Sequence, residues 1–163
     1  ALCFMELGLR CIEVASLTLD DFDWNNSIVN IKNTKTHVDR SLPISPTLGR
    51  AIVDYLQNSR PDSENRALFI RFSHTRGEPM GREQARGAMR RAYKRAGISK
   101  SITGTHILRR TVASKIYKKG CTLKMVADFL GHKSLDSTSV YTKLDTKMLL
   151  QAAGIWPGGG SEC

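Results

Sequence analysis

The sequence has no run approaching the roughly 20 apolar residues of a membrane span. Its opening, ALCFMELGLR, lacks the basic start, long apolar stretch and cleavage site of a secretory leader. Membrane and secreted proteins are thereby set aside, and a cytoplasmic domain is expected. Cysteine is sparse: Cys3, Cys11, Cys121 and Cys163 show no C-x-x-C spacing and no paired histidines, so reduced thiols are expected rather than a disulfide framework or a zinc site. Residues 81–120 lack acid almost completely. They carry twelve Lys or Arg against Glu83 alone, a local balance of +11 within a chain of net charge +10, which leaves −1 for the remainder. Solvated charged faces normally interleave both signs, so a one-sided patch favours a polyanion partner, most economically nucleic acid.

The composition of the 163 residues, 40% hydrophobic and 25% charged, is that of a soluble globular domain with a core. Ala1 falls inside a helical pattern, so a segment of a longer protein is expected. That helix stops near Gly8, and CIEVASLTL brings Ile12, Ala15, Ser16 and Leu19 around Val14 at helical spacing. DFDW, SIVNIK and RSLPI are β-rich pieces separated by turn-forming WNNS and NTKTHVD, which predicts a small antiparallel meander. SPTLGRAIVDYLQNSR predicts a helix with Ser45 as N-cap and Pro46 in the first position. PDSENRALFI reads as a loop leading into a short apolar piece. From Arg82 onward helices are expected at 82–96, 105–119, 122–130, 135–143 and 146–152, separated by glycines at 97, 104, 120 and 131. The fold class expected is α+β, predominantly α-helical with a small three-stranded antiparallel sheet, as one domain over 1–153 and a flexible tail over 154–163.

At 100° per residue, Leu108, Val112, Ala113 and Ile116 form an apolar stripe on the helix starting near Thr105, and Arg109 falls inside it. Arg110 lies about 100° further round, beside His106 at the stripe's edge. A guanidinium keeps its proton, so a buried one requires an anion and several hydrogen-bond acceptors. Two explanations stand open: a structural ion pair with a core carboxylate such as Glu13, or a clamp on a phosphate. His106, three residues before Arg109, shares its helix face and favours the second.

Further residues give this pair company. GLRCIEVASL supplies Arg10 and, three positions on, Glu13; KTHVDRSLP supplies Lys35, eight residues before Pro43; HILR supplies His106 and Arg109; LGH supplies His132; and VYTK supplies Tyr141, nine residues after His132. In type, order and spacing this set resembles the tyrosine recombinases, the phage integrase family, over residues 1 to about 150. The resemblance implies a site-specific recombinase catalytic domain, in which Arg10, Lys35, His106, Arg109, His132 and Tyr141 are catalytic. Tyr141 would attack a DNA phosphodiester and form a 3′-phosphotyrosyl link, conserving the bond energy so that strands rejoin without ATP. Arg10 and Arg109 would hold the non-bridging oxygens. Lys35 would protonate the departing 5′-oxygen, His106 assist deprotonation or orient the phosphate, His132 donate to an oxygen, and Glu13 support the arginines. No cluster of carboxylates suits a catalytic Mg²⁺, so neither metal nor cofactor is expected.

Double-stranded DNA is the implied partner, with four protomers on two duplexes during strand exchange and, for the segment on its own, a monomer as the alternative. The family's separate N-terminal DNA-gripping domain is absent from the sequence. The helix from Arg82 places Arg82, Arg86 and Arg90 at i, i+4 and i+8, with Arg91, Lys94 and Arg95 beside them, while Ala85, Ala88, Met89 and Ala92 face inward. These residues and Arg110 are the expected DNA contacts, mostly to phosphates. The origin would be a phage, mobile element or chromosome-maintenance system. Two rivals remain: a non-catalytic helix-turn-helix protein built on residues 114–141, and a type IB topoisomerase. The first requires neither Arg10 nor Lys35.

Overall fold

The computed structural model describes residues 1–32, 39–72, 77–98 and 104–131. Lys35, His132, Tyr141, the helices expected at 135–143 and 146–152, and the tail lie outside the described residues. Six α-helices are described: α1 (Leu2–Glu6), α2 (Cys11–Ser16), α3 (Pro46–Asp54), α4 (Arg82–Arg95), α5 (His106–Lys118) and α6 (Leu123–Leu130). Between α2 and α3 lies the expected meander, β1 (Phe22–Asp23), β2 (Ile28–Ile31) and β3 (Arg40–Pro43), in the order β1-β2-β3. Its antiparallel register pairs Phe22 with Val29 and Val29 with Leu42, so Val29 and Leu42 point into one core.

Local chemistry explains the boundaries. Ser45 Oγ accepts from the Leu48 amide at 3.1 Å and Pro46 opens α3; Thr122 Oγ1 accepts from the Met125 amide at 3.3 Å and starts α6. Beyond α3 the chain widens into a π-turn, Tyr55–Ser59, closed by the Arg60 amide on Tyr55 O at 2.7 Å. The segment after it is fastened more firmly than its loop-like sequence implies. Leu19 N donates to Arg66 O and Leu68 N to Leu17 O, both at 2.8 Å, while the Arg60 guanidinium donates to the carbonyls of Asn65, Ala67 and Leu68.

Two expectations need correction. In α2 the buried apolar residues are Cys11, Val14 and Ala15, whereas Ile12 and Ser16 are exposed. The helix is only six residues long and turns extended at Leu17, so Leu19 does not continue its face. In α4 the buried row is Ala85, Met89 and Tyr93, at i, i+4 and i+8, with Ala92 half-buried and Ala88 exposed. The large Tyr93 ring moves the inward face round the helix and away from Ala88.

The main core gathers α1, α2, the sheet, α3 and α4 around Leu9, Val29, Ile31, Leu42, Leu48 and Leu68. A second cluster, Ala113, Val126 and Leu130, joins α5 to α6. Gly8 lies where the two meet. Its φ is +60°, and a Cβ there would stand 2.9 Å from Leu130 Cδ2 and 3.4 Å from Val112 Cβ, so both conformation and space require glycine. This close approach sets the α1–α2 turn directly against α5 and α6. Arg10, Arg109 and the end of α6 thereby come together.

Candidate active site

The Arg10 backbone amide is free of helical partners because Arg10 caps α2, and Glu13, in the first turn, accepts from it at 2.7 Å. The same carboxylate accepts from Arg10 Nη1 at 2.9 Å. Arg40, from β3, adds a fork of two bonds, Nη1 to Oε1 at 3.1 Å and Nη2 to Oε2 at 3.2 Å. Arg109 Nη1 stands 3.8 Å from Oε2. Three guanidiniums thus surround one carboxylate, leaving a local excess of two positive charges. The side chains of Glu13 and Arg109 are each 3% exposed and Arg40 7%, while Arg10 is 31% exposed and forms the solvent side of the cluster.

Burial by itself would push the Glu13 carboxyl up. The hydrogen bonds and charge of Arg40, followed by those of Arg10, outweigh burial and hold it below its ordinary value. The remaining negative potential comes from the end of α6, whose last carbonyls have no helical donors. Three consecutive carbonyls each take one arginine: Phe129 O accepts from Arg40 Nε at 2.8 Å, Leu130 O from Arg109 Nη2, and Gly131 O from Arg10 Nη2 at 3.2 Å. Arg109 Nη1 also donates to Gly8 O at 2.7 Å. Gly131 closes the helix at φ +65°, and a Cβ there would lie 2.7 Å from Arg40 Nη1. Helix end and arginine cluster therefore fit only with glycine at that position, immediately before His132.

His106 is the first residue of α5 and exposed, one turn before buried Arg109; Arg110 is exposed, so the two adjacent arginines separate as the helix geometry predicts. The start of α5 is held beside the start of α2 by Cys11 Sγ and Thr105 Oγ1, 3.2 Å apart, and to α4 by the Tyr93 hydroxyl donating to Gly104 O at 3.2 Å. Burial raises the Tyr93 phenol, and its proton is committed to a carbonyl, so Tyr93 is unsuited to act as a nucleophile. Lys32, the other lysine near the hairpin, has its ammonium 2.9 Å from Asp21 Oδ1, and that carboxylate raises its pKa. A proton donor needs the opposite shift.

Arg40 was not singled out by its sequence context. The available signal was the alternation along β3, which places it on the same side as buried Leu42. Among the described residues no three His, Cys, Asp or Glu side chains converge as a metal site requires, and no helix is long and apolar enough to cross a membrane. On α4, Arg82, Arg90, Arg91, Lys94 and Arg95 are exposed and Arg86 half-buried, with Glu83 the only acid on the helix.

Helix-rich architecture, a three-stranded sheet and an arginine pair meeting across a hundred residues define a class, and residues 2–148 match the phage integrase family. The chain belongs to this family. It is 34% identical over 157 residues to y4rA of Sinorhizobium fredii, assigned as an integrase/recombinase, covering 96% of this chain and 38% of that one. Tyrosine recombinase XerD of Corynebacterium glutamicum is 28% identical over 151 residues, covering 93% of this chain and 48% of XerD. The crystal structure of XerA recombinase superposes with a TM-score of 0.76 at 28% identity, over 92% of this chain and 55% of XerA. XerH bound to a palindromic difH substrate, in a post-cleavage complex, gives 0.76 at 26% identity, over 95% of this chain and 44% of XerH. The fold is thus that of a tyrosine recombinase catalytic domain, and the chain spans about half the length of these recombinases, or less.

Proposed function

We propose that this chain is the catalytic domain of a site-specific DNA recombinase that cuts and rejoins strands through a covalent tyrosyl link. The observation that carries this reading is the convergence of Arg10, Glu13 and Arg109 at the end of α6, one residue before His132. A phosphodiester repels nucleophiles, and a site with two positive charges beyond its single carboxylate is suited to offset that repulsion and the charge of the pentacoordinate transition state. Arg10, on the solvent side, meets the phosphate first. Arg109 lies behind it and completes the grip as the anion enters.

In this reaction the Tyr141 oxygen bonds to phosphorus as the bond to the 5′-oxygen breaks. The phenolic proton passes toward His106, the departing 5′-oxygen takes a proton from Lys35, and His132 donates to a non-bridging oxygen. Rejoining reverses each transfer. The exposed basic face of α4, with Arg110 nearby, holds the flanking phosphates of double-stranded DNA. XerH is described in complex with its DNA substrate, which supports the same partner here. Exchange between two duplexes implies a synaptic tetramer, with the gripping domain supplied by sequence beyond this segment.

A nicked duplex that loses its 5′-hydroxyl fragment after cleavage tests the reading. The full-length protein should become trapped as an SDS-resistant adduct, and Tyr141→Phe should bind the duplex without adduct. DNA binding with no adduct from the wild-type protein would leave a helix-turn-helix binding protein as the better description. Relaxation of supercoils without exchange between two sites would identify a topoisomerase.

A further inference from the structure

His106 opens α5, but the start of that helix lacks the local fastening of α3 and α6. Ser45 and Thr122 cap those helices from extended backbone, each side chain accepting an amide of its own first turn. Thr105, in the same position before α5, stands at φ −76° and ψ −12° and makes no such bond. Its hydroxyl is 3.2 Å from Cys11 Sγ instead. The Arg109 amide reaches Thr105 O at 3.3 Å, against 2.9 Å and 3.0 Å for the matching first bonds of α3 and α6. An uncapped first turn frays, so contacts from outside α5 have to hold it.

Tyr93 supplies that hold. Its ring is buried beside Met89 in the main core, and its hydroxyl donates to Gly104 O at 3.2 Å. α4 packs directly on α2, whose first residue Cys11 meets Thr105, so phenol and thiol grip residues 104 and 105 from α4 and α2 together. Cys11 directly follows Arg10, the arginine on the solvent side of the cluster. A buried hydroxyl thus ties the residues just before His106 to the frame that carries Arg10.

We propose that Tyr93 is a positioning residue for strand cleavage: through Gly104 O its hydroxyl fixes the first turn of α5 and so sets the His106 imidazole in register with Arg10. The inference rests on His106 as the group that receives the Tyr141 proton, the role proposed above. Tyr93 is buried with its proton committed to a carbonyl, so it acts through His106 and not on the phosphate. Its loss leaves the exposed arginines of α4 in place, and the expected defect lies in the chemical step rather than in holding DNA.

The test uses full-length Tyr93→Phe, which keeps the buried ring and removes only the hydroxyl. In single-turnover cleavage of the nicked duplex, adduct should form about fivefold or more slowly, with an unchanged final yield and DNA affinity within about twofold. On a His106→Ala background the same change should cost less than about twofold, because the group it positions is gone. Amide exchange of Arg109 should quicken by about fivefold, while that of Val126, bonded to Thr122 O at 3.0 Å, stays unchanged. A merely structural tyrosine would quicken both amides together, or lower the adduct yield without slowing its formation. Either result overturns the proposal, as does a wild-type rate from Tyr93→Phe or an undiminished loss on the His106→Ala background. If His106→Ala forms too little adduct to time, the Tyr93→Phe rate and the paired amide rates decide. Wild-type cleavage by His106→Ala is a separate outcome that takes away the role of His106 and this proposal with it. Absence of adduct from the wild type removes the recombinase reading itself.

Discussion

Three guanidiniums can share one buried carboxylate here because the backbone supplies the acceptors that Glu13 cannot. Gly8 O and Leu130 O take the Arg109 Nη donors, Phe129 O takes Arg40 Nε and Gly131 O takes Arg10 Nη2. Arg109→Ala should lower the cleavage rate by about 10²-fold or more, as loss of a donor to a transition-state oxyanion does. Exposed Arg110→Ala should mostly weaken DNA binding. The reverse ranking in the adduct assay would show that the wrong arginine has been assigned to the phosphate. Glu13 makes a second prediction. Its carboxyl titrates below its ordinary 4.5 in the folded state, so its contribution to stability is complete above that pH and is lost as the pH falls through the folded value. Acid titration of the melting temperature should therefore fall less steeply below pH 4.5 for Glu13→Gln than for wild type, from a lower plateau. Parallel curves would mean that Glu13 does not carry this linkage.

At the scale of elements, the proposed function assigns binding to α4 and chemistry to α5. The long basic face of α4 packs on the core through Ala85, Met89 and Tyr93 and leaves its charges outward, so each lost phosphate contact should act independently. Replacing Arg90 by Ala is expected to weaken DNA binding for all sequences alike, and to reduce the slope of log affinity against log salt by about one. An unchanged slope would take Arg90 out of the interface. Most of the elements were legible because periodicity and caps are local: the Ser45 cap, the meander and the buried arginine of α5 all show in short windows. The segment over residues 60–72 was not, since its order comes from bonds to residues 17–19 and to the Arg60 side chain, which no short window contains. Arg40 was hidden for the same reason. Beside a polar hairpin an arginine looks solvated, and what buries this one is a helix end 89 residues away in sequence.

For the molecule as a whole, the candidate site was readable as a list of residue types in order, but not as an arrangement. Order along the chain gave Arg10, Lys35, His106, Arg109, His132 and Tyr141; the saturation of Glu13 and the sharing of the helix end required three dimensions. The row of carbonyls at residues 129, 130 and 131 bears on how such a protein is made. Its bonds to Arg10, Arg40 and Arg109 close loops of 121, 89 and 21 residues, and long loops close only after the intervening chain has found its place. During synthesis Arg10 and Arg40 leave the ribosome well before the helix end that organises them, and Tyr141, the proposed nucleophile, comes later still. A nascent or truncated chain can therefore carry the positive charge that attracts DNA while lacking the geometry to cut it. On the proposed function, this order of assembly separates being able to touch DNA from being able to cut it.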